Sequence, residues 1–247
     1  MKKKKMVIMI FSLVFLTTGC IKKNTVAHSK EEMLNVIDNL DCSYAYYSAY
    51  DVDAKTIDNI DYNCNLKGKY SIVSEKIIRR TKYEEHDARV ITLRLNDYDF
   101  EFHIESSLRP IGLVTNSYTN TTDYIKTANE YFSKKFNEEK PSDVCNSEKI
   151  TTTKFCVVKK YDDILMASNY IKTYVDYLNN LDIRFFDHQR NISVYFGEKS
   201  NGGWYSISYK PKLVDGKYVL FKFTTGVDKV EDIEHDILNY VKENNIF

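Results

Sequence analysis

Glycine and proline are scarce, eight and three in a chain of 247 residues. That excludes a long flexible stalk and a low-complexity chain, which are built from such residues or from polar tracts. A cationic surplus is missing too: 35 lysines and arginines face 35 aspartates and glutamates. Without it the phosphates of a nucleic acid go unneutralised, so no nucleic-acid partner is expected. Catalytic templates are also lacking. No G-x-S-x-G, H-E-x-x-H, P-loop or dinucleotide glycine fingerprint occurs, which removes the familiar hydrolase, protease and nucleotide-binding layouts. The expectation is a chain that is not an enzyme and needs no cofactor.

Long apolar runs are absent beyond the first residues. Lys2 to Lys5 precede Met6 to Leu16, an apolar or weakly polar run of eleven residues. A bilayer-spanning helix needs roughly 20, so the run reads as an export leader over residues 1–19, followed by a tether over 20–28. The leader closes in Leu16-Thr17-Thr18-Gly19-Cys20, and here the chain resembles the precursors of bacterial lipoproteins, whose lipobox ends in a small residue and cysteine. Leu16 stands four residues before Cys20, where the usual lipobox has its leucine three before. The resemblance covers about twenty residues and implies a diacylglycerol on the Cys20 thiol, cleavage just before it, and palmitate-type chains holding the protein on the outer face of the cell membrane. Two or more chains, at about 0.8 kcal/mol per buried methylene, anchor where one does not. An ordinary secretory leader with Cys20 as a stray thiol is the alternative. Loss of the four leader lysines leaves the mature chain acidic by four.

Four further cysteines, Cys42, Cys64, Cys145 and Cys156, fit no C-x-x-C metal or redox spacing. An even number in an exported chain suggests pairing. The local pairing, Cys42 with Cys64 and Cys145 with Cys156, is preferred because each pair brackets a segment of weak periodicity. Four buried reduced thiols are the alternative.

Periodicity and turn residues point to an α+β fold. Ser29 and Glu32 make a capping box before a helix over 30–40. Ile91, Leu93 and Leu95, then Phe100, Phe102 and Ile104, alternate with polar residues on either side of Asp97-Tyr98, so a half-buried hairpin is expected with Arg94 facing Glu101. A helix over 122–136 with Tyr124, Ile125, Ala128, Tyr131, Phe132 and Phe136 on one side closes this half. "NEEKPSD" marks a boundary. Beyond it come a strand-like "TTTKFCVV" and a helix over 162–181, capped by Asp162 and striped by Leu165, Ile171, Val175, Leu178 and Leu181. Three strands follow. They are expected to bury Ile192, Val194 and Phe196; Tyr205, Ile207 and Tyr209; and Val219, Phe221 and Phe223, joined at "NGG" and "DG". A last helix spans 229–244. The expected architecture is two helix–antiparallel meander–helix modules over 29–140 and 141–247, in the same coarse order and candidates for a duplication. The run "ITLRLNDYDFEFHIESS…TTDYIKTANEYF" is similar to segments of exported proteins of low-GC Gram-positive bacteria, a likeness that implies no activity.

Candidate chemistry is sparse, and each candidate has a plain structural reading. His103 between Glu101 and Glu105 on a polar strand face could serve metal binding or proton transfer, or simply be solvated. Asp51, Asp53, Asp58 and Asp61 could hold calcium, but the loop lacks the EF-hand glycine and closing glutamate, so no metal site is assigned. Tyr44, Tyr46, Tyr47 and Tyr50 present rigid amphipathic area suited to a protein or glycan partner, or half-buried strand residues. Trp204, the single tryptophan, is either a ligand anchor beside "NGG" or a shield on a sheet edge. These readings favour a membrane-anchored binding module outside the cell, with an envelope protein or glycan as partner. A hydrolase-like envelope enzyme working near His103 and a solute-binding receptor are the alternatives, the latter disfavoured by the absence of alternating parallel βα units.

Overall fold

Ser29 Oγ accepts the backbone N–H of Glu32 at 3.2 Å, and the Glu32 carboxylate accepts that of Ser29 at 2.7 Å. Two orphan donors are thereby satisfied, and helix α1 runs Lys30–Asp38 with Met33 and Ile37 buried. The computed structural model describes residues 27–42, 63–78, 88–111, 115–149, 155–185, 191–198, 202–226 and 228–247. Residues 1–19, expected to be a leader, together with Cys20, Tyr44, Tyr46, Tyr47, Tyr50 and the aspartates of 51–61 lie outside them.

Four strands follow as an antiparallel meander in the order β1-β2-β3-β4: β1 Tyr70–Ile78, β2 Ala88–Leu95, β3 Glu101–Ile111 and β4 Thr115–Thr122. The expected hairpin is β2–β3. Leu93 faces Phe102 and Arg94 faces Glu101, and the two charges form an ion pair on the polar face. Helix α2, Tyr124–Glu139, lays Tyr124, Ile125, Ala128, Phe132 and Phe136 on the core, with Tyr131 half-buried.

The second sheet is β5-β6-β7-β8: β5 Cys156–Val157, β6 Ile192–Glu198, β7 Trp204–Val214 and β8 Lys217–Lys222. Within it β6, β7 and β8 form the expected meander, while β5 pairs parallel to β6. A parallel neighbour requires a crossover, and helix α3, Tyr161–Asn180, supplies it. Helix α4, Ile233–Glu243, ends the chain. Each sheet is flanked by helices, giving an α+β fold with two sheet modules. One continuous hydrophobic cluster runs through both: Phe132 stacks on Phe185 with centroids 4.6 Å apart, and Phe136 meets Tyr174 edge-on at 5.0 Å.

The structure corrects four details. Lys160, and not Asp162, is the N-cap of α3, and the neighbouring Asp163 carboxylate accepts the Lys159 N–H at 2.9 Å. Leu165 is exposed because the buried stripe of α3 is set by Ile164, Ala167, Ile171, Tyr174 and Leu178. In β8 the inward residues are Tyr218 and Leu220, while Phe223 is exposed. The two-residue turn Asp215-Gly216 pairs Val214 with Lys217, so Leu213 and Tyr218 share the inner face and Val219 and Phe221 turn out. Finally, α4 starts at 233 because residues 228–230 first cover the β8 edge: Lys222 donates to Asp228 O and Val230 to Leu220 O, each at 2.8 Å.

Both disulfides have the local pairing, Cys42–Cys64 and Cys145–Cys156, with Cα atoms 5.2 and 4.0 Å apart. The second fastens the chain after α2 to β5. In contrast to β8, β1 is an edge strand with Ile72, Val73, Ile77 and Ile78 all at least 40% exposed.

Candidate binding face

Among the described residues His103 gathers no metal ligands. Asp123 takes it instead: one carboxylate oxygen accepts the His103 backbone N–H at 2.6 Å and the other lies 3.1 Å from Nδ1. This is why Asp123, at the N-cap of α2, makes no side-chain capping bond. Glu101 is engaged by Arg94. Among the described residues no three His, Cys, Asp or Glu side chains converge as metal ligands.

A cleft of about 420 Å³ opens between the C-terminus of α1, residues 63–67, Arg184 and the β7–β8 turn. Several of its polar groups are committed to the protein's own chain. The Arg184 guanidinium donates to the carbonyls of Leu181, Ile183 and Gly216 at 2.7, 3.1 and 2.7 Å, Asn65 donates to Asp182 O at 2.7 Å, and Asp38 accepts the Tyr70 hydroxyl at 2.8 Å. Burial, reinforced by the Asp38 hydrogen bond and charge, pushes the Tyr70 phenol well above its ordinary range. The Asn65 bond joins the first module to the second, and the engaged groups offer a ligand few free partners.

The outer face of the second sheet has a different character. Helices α3 and α4 cover the inner face, where Phe196 meets Tyr240 at 5.6 Å and Asp236 pairs with Lys222. The Asp236 hydrogen bond is the main reason the Lys222 amine sits above its usual range. Directly paired residues of an antiparallel ladder share a face, so the register assigns the outer set: Tyr195 with Ser206, Ser193 with Ser208, Lys210 with Phe221, and Lys212 with Val219. At one end Trp204, 40% exposed, meets Tyr195 edge-on at 6.4 Å and pairs with Glu198. In the middle Ser193 and Ser208 hydroxyls lie 2.8 Å apart. At the other end Lys212 reaches Gly226 O and lies 4.8 Å from the Phe221 ring centroid. Burial, and then the charge of Lys210, hold the Lys212 amine below its ordinary range.

Of the residues proposed from the pattern, Trp204 is placed on this face. Tyr195, the three serines, Lys210 and Lys212 are the complement of the inner alternation expected for β6 and β7, and that alternation is the signal for them. Phe221, expected on the inner side, joins the outer set only through the register of β8 with β7.

Among the described residues no helix is long and apolar enough to cross a membrane. No family model matches the chain, and comparison with curated proteins and with solved structures finds no match either.

Proposed function

We propose that the protein is a lipoprotein tethered to the outer face of the cell membrane, where its folded body works as a binding module with the open face of the second sheet as its contact surface. The observation that carries the reading is the basic, apolar leader ending at Cys20. The disulfides Cys42–Cys64 and Cys145–Cys156 support it, because such bonds persist in an oxidising compartment and are rare in the cytosol. The outer face supports the binding role: it combines a tryptophan, further aromatic rings, hydroxyls and lysines, and among the described residues no helix lies over them.

Mass spectrometry of the protein extracted from membranes tests the anchor. The expected N-terminal peptide begins at Cys20 and carries acyl chains on the sulfur. A bare thiol, or a leader still attached, removes the tether. Co-purification from detergent-solubilised membranes tests the binding role, with a reproducible envelope companion expected.

A further inference from the structure

We infer that the outer face of β6, β7 and β8 is a platform for an extended anionic glycan, with sugar rings packed against Trp204 and Tyr195 and acidic groups met by Lys210, Lys212 and Lys217. The inference rests on the binding-module reading and names the partner class. Three features of the face argue for it.

The first is charge. Val214 pairs with Lys217, and alternation places Lys217 on the same side as Lys212 and Lys210. Among the described residues no carboxylate forms an ion pair with any of these three lysines. Within the β6–β8 ladders Glu198 is the acid on this face, at the opposite end beside Trp204, and at the β8 edge Glu231 is taken by Lys229, which bridges to Phe221. Cations gathered in this way repel one another and attract an anion to their end of the face.

The second is chemistry along the strand. From Trp204 to Lys212 is eight steps of about 3.4 Å, so roughly 27 Å of strand is available. Aromatic faces pack on the C–H faces of a pyranose while their polar edges stay wet. Ser193, Ser206 and Ser208, all half-buried, supply hydroxyls that both donate and accept, as sugar hydroxyls require.

The third separates a glycan from an anionic lipid surface. Membrane insertion needs apolar side chains standing above the polar ones. Here the centre of the face is a floor of serine hydroxyls, two of them bonded to each other at 2.8 Å, and a chain lying flat on it reaches them where a bilayer does not.

Trp204 is the single tryptophan, so its emission reports the site directly. The full-length protein in neutral detergent is titrated with a hyaluronan octasaccharide, with a neutral N-acetylglucosamine hexasaccharide, and with phosphatidylglycerol/phosphatidylcholine vesicles. The expected result is a saturable change of Trp204 emission with the acidic octasaccharide, weakened by added salt. The double variant K210Q/K217Q should weaken it at least about fivefold, while K126Q/K134Q, which removes two exposed charges from α2, changes it less than about twofold. The site is overturned if the acidic sugar leaves the emission unchanged, if the neutral sugar acts equally well, if only vesicles act, or if both double variants weaken binding alike. A silent titration on protein that is acylated and retains a companion overturns the glycan site alone. Loss of acylation and companion overturns the wider reading, whatever the sugar does.

Discussion

Asn129 and Phe185 are joined across the core: the Asn129 side-chain amide donates to the Phe185 carbonyl at 2.7 Å and to Ile125 O, one turn back in α2, at 2.8 Å. Both acceptors are carbonyls, so the NH₂ group must face them. Asn129 is buried, and the contact spans 56 residues. Replacing Asn129 with Ala leaves the Phe185 carbonyl without this donor and is expected to cost about 1–3 kcal/mol. Asn129→Asp should cost more, since a carboxylate would face two carbonyls. Urea denaturation of the variants decides it, and equal stability to wild type would contradict the assignment.

The disulfides should contribute comparably. With 22 and 11 residues of separation, each is expected to stabilise the fold by about 3 kcal/mol through the entropy of the unfolded chain. Thermal unfolding of Cys42→Ala/Cys64→Ala and Cys145→Ala/Cys156→Ala proteins measures each loss. Iodoacetamide labelling of the denatured, unreduced protein should leave these four cysteines unmodified.

The register of β8 makes neighbouring residues unequal. Leu220→Ala, on the inner face, should cost about 2–4 kcal/mol, and Val219→Ala, on the outer face, less than about 1 kcal/mol. Reversed values from denaturant titrations would mean a one-residue slip of the strand.

Tyr98, whose hydroxyl lies 3.3 Å from Asp182 Oδ1, is one of the buried or half-buried phenols, with Tyr70, Tyr124, Tyr177 and Tyr209, that make stability fall at alkaline pH. Burial, and then the Asp182 charge, push its pKa up to about 12, while in the unfolded chain a phenol titrates near 10. Above pH ~10 the unfolded state therefore holds fewer protons than the native one. Stability that is fully present below that pH is lost as pH rises through about 12. Tyr98→Phe should flatten the fall between those values, followed by unfolding midpoints at stepped pH. An unchanged slope would show that Tyr98 titrates normally.

Local pattern revealed much of this fold. Two-residue alternation and the Arg94–Glu101 pairing located the β2–β3 hairpin, the Ser29–Glu32 box located α1, and Asp215-Gly216 located the last hairpin, where Asp215 and Gly216 both have positive φ. Other strands carried no such signal. β1, "YSIVSEKII", is largely exposed along the open edge of its sheet, and β4, "TNSYTNTT", is almost wholly polar, so neither shows the alternation of a half-buried strand.

What the sequence by itself determined is which segments are helical, where the tight turns fall and which cysteines pair, because capping, φ preference and short loop closure act between near neighbours. The start of α4 was set by the pairing of residues 228–230 with β8. Only the tertiary structure decided which side of "KYVLFKF" turns inward, since apolar residues occupy both sides and the pairing with β7 chooses between them. It likewise decided the role of residues 182–185, which have no regular structure of their own: the Arg184 carbonyl accepts the Tyr124 hydroxyl at 3.0 Å and its N–H donates to Cys64 O at 2.9 Å. Buried backbone groups must find partners somewhere, and these find them 60 and 120 positions away, at a distance over which no local periodicity carries information.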